Sequence, residues 1–476
     1  MTLSIFNTMS GTKEAFEPID GSNVKMFVCG QTVYDDAHLG HAKTYIGFDI
    51  VARWLRHSGY KLRYVQNITD VEDKIIARAH ERNMEPLALA KYYESRFFED
   101  MERIGVKQNV DMYPESSNYI SAMRDQIQVL ADKGYAYYLD GDIYYDVSKF
   151  KDYTKLSGMD IEELGKHRIE PKEGKRNSYD FALWKAAKPG EPKWKIEIKI
   201  GGESIKLDGR PGWHIEDTAM TYSIFGPQYD IHGGARELIF PHHTNEIAQA
   251  EGAYGVKPFV KYWMHSGMLN IRGEEMHKSL KNFITIRDFL SKYSAELLRF
   301  MIASTHYRKE INFTDQYIDL ARKNLYYIYS SFNIFYNMKV AGSSVGEEKL
   351  LQAINTFNAD FSSAMDDDFN TPLALSKLIL FVKDLRSYAG SGKSITSGAK
   401  QKAISAVLDS AGVIGILANE DYKKPLDPEI YKLIEEREAL RKGKQFEKAD
   451  AIRARLLGEY NTIVEDTEYG PLWYRR

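Results

Sequence analysis

Cysteine is almost absent from this sequence: Cys29 is the only one in 476 residues. A single thiol excludes an internal disulfide and fits a reducing compartment. No window of about 18 consecutive apolar residues occurs, so no membrane-spanning helix is expected. Charge of one sign is also missing, since 64 Lys and Arg stand against 67 Asp and Glu, a net −3. That balance excludes a uniformly basic nucleic-acid binder, and any contact with nucleic acid must be local. The opening stretch, MTLSIFNTMSGTKEAFEPID, has no basic segment followed by a long apolar run. No signal peptide is expected, and the cytoplasm is the expected location. There is no internal repeat and no low-complexity tract. What remains is an ordinary folded composition, 43% hydrophobic and 28% charged, with a length that suggests about three domains at roughly 100–200 residues each.

The apolar pattern places the first elements. VKMFVC (24–29) is mostly apolar, β-rich and followed by Gly30, which predicts a short buried strand. HAKTYIGFDIVARWLR (41–56) carries Ile46, Ile50 and Trp54 at helical spacing, with Val51 and Leu55 beside them. Gly59 ends that helix, and KLRYVQNI (61–68) alternates into a second strand. Strand, helix and strand at this spacing form a βαβ unit, and hence a parallel sheet. A helical stretch is expected from about Pro114 to Gly134, then a strand- and loop-rich insertion over 140–210. The sheet is expected to resume near Gly212 and run to about Arg287, and the pattern is almost wholly helical from Tyr293. A charged helix is expected over Asp427–Leu457, followed by an aromatic-tipped tail, GPLWYRR.

Two histidines flank a glycine where the first strand hands over to its helix: His38-Leu39-Gly40-His41. Ligands of open parallel sheets bind outside the carboxyl ends of the strands. A helix N-terminus offers free N–H groups and partial positive charge, which suit phosphate. Gly40 lets a nucleotide approach the backbone, and the histidines at i and i+3 share one side of the turn. The pattern is not the G-x-G-x-x-G dinucleotide fingerprint, and capping histidines would look the same.

MFVCGQTVYDDAHLGHAKTY (26–45) resembles the HIGH-motif region of the class I aminoacyl-tRNA synthetases, and within them the cysteinyl-tRNA synthetase family. KLRYVQNITDVEDK (61–74), GRPGWHIEDTAM (209–220), YDIHGG (229–234), FPHHTNEIAQAE (240–251) and MHKSLKNFITIRD (276–288) extend the resemblance in order along the chain. It implies a Rossmann-like parallel-sheet catalytic domain split by an insertion, then an α-helical bundle and a small C-terminal module. The expected bounds are 1–118 and 209–290 for the two catalytic halves and 119–208 for the insertion. Residues 291–340 would form the stem-contact region and 341–476 a helical tRNA anticodon-binding region.

The implied activity is ATP-dependent formation of cysteinyl-adenylate from L-cysteine, then transfer of cysteine to the 3′-terminal adenosine of tRNA(Cys). His38, Gly40, His41, Lys278 and Ser279 would bind ATP, and His38, His41 and Lys278 would act in catalysis. Mg²⁺ would accompany ATP. Cys29, Thr69, Trp213 and His232 would form the amino-acid site. The resemblance implies a zinc ion held by Cys29, Asp217, His242 and Glu246; His242 and Glu246 stand at i and i+4, one helical face. A soft ion that takes the substrate thiol as ligand would reject serine by chemistry rather than by size. The chain departs from the family's pattern at Asp217, where a second cysteine is usual. A Cys/Asp/His/Glu zinc site, a weaker or different metal, and no metal all stay open. The KMSKS-like loop also departs, with Glu275 and His277 at the first lysine and first serine positions. tRNA(Cys), L-cysteine and ATP are the expected partners, with no membrane and a monomer or homodimer. Two other readings share parts of these motifs: a cysteine ligase with an amino-sugar acceptor, and a non-catalytic RNA-binding paralogue. The long helical half speaks against the first, and the kept HLGH, Thr69, Trp213 and Lys278 against the second. Basic residues in REALRKGKQFEKADAIRARL (437–456), with Trp473 and Tyr474, are candidates for RNA contact.

Overall fold

The computed structural model describes residues 2–160, 172–276, 282–341, 347–424, 427–467 and 470–475. At its centre lies a four-stranded parallel sheet in the order Val260–Ser266, Tyr229–Ala235, Asn23–Thr32, Lys61–Thr69. The strands predicted at 24–29 and 61–68 are both present, each slightly longer. Side chains alternate between the two faces of a strand. Met26 and Val28 accordingly enter one apolar core, while Phe27 and Cys29 enter another. Both faces are covered, as a parallel sheet requires.

Leu39–His57 forms the first helix, starting two residues before the expected position because His38 caps it. It buries Ile46, Ile50, Val51, Trp54 and Leu55 against the first core. The predicted helix over 114–134 is a short turn at Ser116–Tyr119 followed by a helix at Ile120–Asp132. The insertion is a five-stranded antiparallel sheet between Ala136 and Pro211 that closes over the second core. The central sheet does not resume at Gly212: a helix, Ile215–Phe225, comes first, and the strand begins at Tyr229. Its polar side chains Glu216, Asp217, Thr218 and Thr221 are all buried, a pattern that periodicity alone does not identify as helix.

The helical half follows from Ala295. Buried Arg299 ties it to the sheet's first helix: its guanidinium donates to Asp49 Oδ2 at 2.5 Å and to the carbonyls of Ile104 and Ile414, both at 2.9 Å. The single helix expected over Asp427–Leu457 is two, Pro428–Lys442 and Phe446–Tyr460, broken where Lys444 takes φ +57°. The aromatic tail is the second strand of a hairpin, Thr462–Thr467 with Gly470–Arg475. Among the described residues no helix is long and apolar enough to cross a membrane.

Candidate active site

A cavity of about 450 Å³ opens at the carboxyl ends of the parallel strands. Its walls include His38, His41, Thr69, Trp213, Cys29 and His242. The strands of the two chain halves meet at this point, since Asn23–Thr32 pairs with Lys61–Thr69 on one side and Tyr229–Ala235 on the other. That is where an open α/β sheet places its ligand.

One end is the HLGH turn. His38 Nδ1 accepts from the Gly40 N–H at 3.0 Å, and His41 Nδ1 accepts from the His38 N–H at 3.3 Å. A backbone N–H can only donate, so Nδ1 of each ring is the acceptor and the ring proton sits on Nε2. The two rings stack with centroids 3.8 Å apart. Desolvation first, then His38, hold His41 well below the usual histidine pKa. A Cβ on Gly40 would lie 2.8 Å from His38 Cε1 and 3.3 Å from Met276 Cε. The turn also meets the segment beyond the KMSKS-like loop: Leu39 N donates to Ile284 O at 3.1 Å, and the Phe283 ring meets His38 edge-on at 5.1 Å. Lys278, Ser279 and His277 lie outside the described residues.

The other end is buried. Cys29, Asp217, His242 and Glu246 each offer one donor atom, all within 4.8 Å of one another. They come from a strand end, the first turn of a helix, an irregular turn and the first turn of the next helix. His242 thus precedes the helix expected to carry it, but its Nε2 still lies 3.1 Å from Glu246 Oε1 and 2.9 Å from Asp217 Oδ2. Among the described residues neither carboxylate oxygen of Glu246 accepts a hydrogen bond, although the residue is fully buried and both histidine nitrogens, His242 Nε2 and His232 Nε2, lie close. Burial first, then Asp217, push the Glu246 pKa up; burial, Asp217 and Glu246 push the Cys29 thiol up. Acids and a thiol packed together in a dry site are costly alone and suit a divalent cation, which reverses that electrostatic balance. The donor set therefore fits a metal ion.

Around this group, Trp213 stacks on His242 with centroids 4.6 Å apart. Thr69 is on the cavity wall and donates to Glu216 Oε1 at 2.7 Å. His232 is not on that wall: it is fully buried behind Cys29, its Nε2 3.3 Å from the sulfur, with its ring against Trp263. The sequence reading missed three residues here. His243 places Nε2 3.1 Å from Cys29 Sγ, and Cys29, His232, His243 and Glu246 form a second close donor group. Asn67 donates to Asp217 Oδ1 at 2.7 Å, and Glu216 takes the hydroxyls of both Thr69 and Ser116. The adjacent histidines in PHH and the acid pair in IED were the available signals, but neither fixes a partner in space.

A second cavity, about 470 Å³, adjoins the first and shares Thr32, Lys74, Trp213, Phe240 and Pro241 with it. Its far wall comes from the insertion, with Tyr153, Lys175, Tyr179, Phe181 and Lys185. Farther away, part of the basic stretch 437–456 is already neutralised. Arg437 is buried and paired with Asp466, half-buried Arg441 also pairs with Asp466, and Arg455 pairs with Glu429 and Glu459. Trp473 packs against the small core of the last helices.

A split parallel sheet, a capped histidine turn and an elongated cavity at the switch point define the catalytic domain of a class I aminoacyl-tRNA synthetase. The tRNA synthetases class I (C) catalytic domain matches residues 15–323, and the DALR domain matches residues 360–418. By fold, the chain is similar to methionyl-tRNA synthetase of Mycobacterium tuberculosis, with a TM-score of 0.58 and 14% identity over 82% of this chain and 89% of that one. It is also similar to LeuRS of Agrobacterium radiobacter, with a TM-score of 0.59 and 10% identity over 84% and 85%. In sequence it is 42% identical to the cysteine–tRNA ligase of Thermococcus gammatolerans, over 100% of this chain and 99% of the relative. It is 41% identical to that of Geobacter metallireducens, over 99% of each. The chain belongs to the cysteine–tRNA ligase family.

Proposed function

We infer that this protein activates L-cysteine with ATP and transfers it to the 3′-terminal adenosine of tRNA(Cys). One observation carries the reading: a single cavity joins a phosphate-competent helix N-terminus to a buried Cys/Asp/His/Glu donor group. A phosphate-binding end beside a thiol-selective end is what cysteinyl-adenylate requires.

ATP lies with its phosphates at the N-terminus of Leu39–His57, where the His38 and His41 Nε2–H groups donate to phosphate oxygens. A carboxylate oxygen of cysteine attacks the α-phosphorus in line, and the bond to the bridging oxygen of the β-phosphate breaks. Pyrophosphate leaves, its charge met by Lys278 and Ser279 of the KMSKS-like segment and by the Mg²⁺ that would accompany ATP. No side chain is needed as a nucleophile; positioning and fixed dipoles carry the step. Cys29, Asp217, His242 and Glu246 would hold zinc, which when bound would supply a soft contact for the substrate sulfur. Trp213 holds the His242 ring in place, and Thr69 bounds the amino-acid end. His232 supports Cys29 from behind instead of contacting the substrate.

In the second step a ribose hydroxyl of the terminal adenosine attacks the activated carbonyl, and AMP leaves. The first cavity is then filled by the adenylate. The adjoining cavity is the open route, and its aromatic and lysine wall suits an unpaired 3′ end. Residues 291–340 serve as the stem-contact region and 341–476 as the anticodon-binding region. The test is cysteine-dependent ATP–pyrophosphate exchange followed by charging of tRNA, with serine as competitor. Exchange with cysteine and none with serine is the expected result; equal use of both amino acids overturns the thiol-selective assignment.

A further inference from the structure

We propose that Asn67 is a positioning residue that confines Asp217 to one donor oxygen and locks it in register with Cys29. The inference rests on the metal reading above.

The strand carrying Cys29 is bulged where it passes Asn67. Val28 pairs with Gln66 and Gln31 pairs with Ile68, so Cys29 and Gly30 together oppose the single residue Asn67. Bulges re-aim side chains, and this one turns the Cys29 sulfur to the donor group. The two strands approach so closely that a Cβ on Gly30 would stand 1.6 Å from the Asn67 carbonyl oxygen. The Gly30 N–H donates to Asn67 Oδ1 at 2.6 Å. That bond fixes the amide, because only its oxygen can accept from a backbone N–H. The Asn67 NH₂ group must then face the other way, and it donates to Asp217 Oδ1 at 2.7 Å.

With Oδ1 occupied, Oδ2 is the oxygen aimed at the donor group, 2.9 Å from His242 Nε2 and 3.5 Å from Cys29 Sγ. The spacing to Cys29 Sγ is that of neighbouring ligands on a tetrahedral ion, about 3.3–3.6 Å for bonds of roughly 2.0–2.3 Å, and the spacing to His242 Nε2 is shorter, a hydrogen-bond distance. A carboxylate can otherwise bind through one oxygen or two. A two-oxygen grip by Asp217 would crowd an ion that four protein donors already reach and that the substrate sulfur must also approach. Asn67 is 1% exposed, and one amide couples donors that are 188 positions apart in the chain.

A thiolate at position 217 would be a one-atom donor and would not need this restraint. The test is therefore a cycle of four proteins: the native chain, Asn67→Ser, Asp217→Cys, and the double variant. Each full-length protein is loaded with Zn²⁺ or Co²⁺, and two quantities are read: the rate of metal release to a chromophoric chelator and the visible spectrum of the Co²⁺ form. Asn67→Ser should speed release about 10–100-fold where residue 217 is Asp, with a changed Co²⁺ spectrum. It should change release less than about threefold where residue 217 is Cys. Equal acceleration in both backgrounds overturns the proposal and leaves Asn67 a support for the bulge alone. Asn67→Leu repeats the comparison if the serine variant does not fold. A native chain that retains no stoichiometric metal overturns the metal reading and this inference together; a metal-retaining chain without coupling overturns this inference only.

Discussion

The two ends of the cavity are built in opposite ways. The end proposed for phosphate is local: His38, Gly40 and His41 lie within four consecutive residues, and the backbone of the turn itself orients both rings. The cysteine end is assembled from separate elements, with Cys29 and Glu246 brought together from far apart in the chain. The local end is governed by capping geometry, which four residues specify. The distributed end is governed by the packing of a strand, two helices and a turn, and its buried acids and thiol are costly by themselves.

The largest separation between the ends should come from removing a donor at the buried one. Glu246→Gln should cut cysteine-dependent exchange by at least about 10²-fold while leaving ATP affinity within about twofold. Stripping the metal from the native protein with a chelator should reproduce that pattern and be reversed by Zn²⁺. Parallel loss of ATP binding, measured by equilibrium dialysis, would show that the two ends are not independent. The converse change, His41→Ala, should lower the exchange rate constant by about 10²–10³-fold, the usual cost of one preorganised donor, with metal content unchanged. A metal assay and exchange kinetics on the same preparation decide this.

Smaller effects sharpen the comparison. Tyr179 and Lys185, the latter paired with Asp73, line the adjoining cavity and not the first, so Tyr179→Ala and Lys185→Gln separate the two. They should leave exchange unchanged and slow transfer to tRNA about 10-fold, the scale of one lost base-stacking contact. Single-turnover transfer from preformed adenylate measures it, and equal slowing of both steps would remove the acceptor end from that cavity. Gly40→Ala forces the His38 ring to move, and should cost about tenfold in exchange with little change in melting temperature. The smallest effect is in pH. His41 is held below its usual pKa by desolvation and stays neutral in the folded protein, while the unfolded chain binds a proton near 6.5. The unfolded state thus binds more protons as pH falls through that value, and stability should decline below about 6.5. Urea midpoints from pH 7.5 to 5.5 should show a decline that His41→Asn reduces.

The contrast also explains what could be read in advance. The strand 24–29, the helix after it and the HLGH turn follow from periodicity and capping, which act over a few residues. The helix Ile215–Phe225 was missed because its buried polar side chains hide the amphipathic signal, and those same side chains serve the site. His242 and Glu246 were legible as a pair at i and i+4, although an irregular turn and not a regular helix holds the first of them. The basic run at 437–456 was legible as charge but not as availability, since Arg437 is consumed by Asp466 inside a small core.

The sequence by itself determined the parallel-sheet class, the split catalytic domain, the family, and the capped turn at His38–His41. All of these rest on short-range patterns or on motifs in fixed order. The tertiary structure alone decided which donors surround Cys29, that His232 stands behind it instead of on the cavity wall, and that His243 and Asn67 belong to the same cluster. Distances between residues hundreds of positions apart are set by how strands register and helices pack. The bulge that turns two residues of one strand against a single asparagine of the next is an event of that kind.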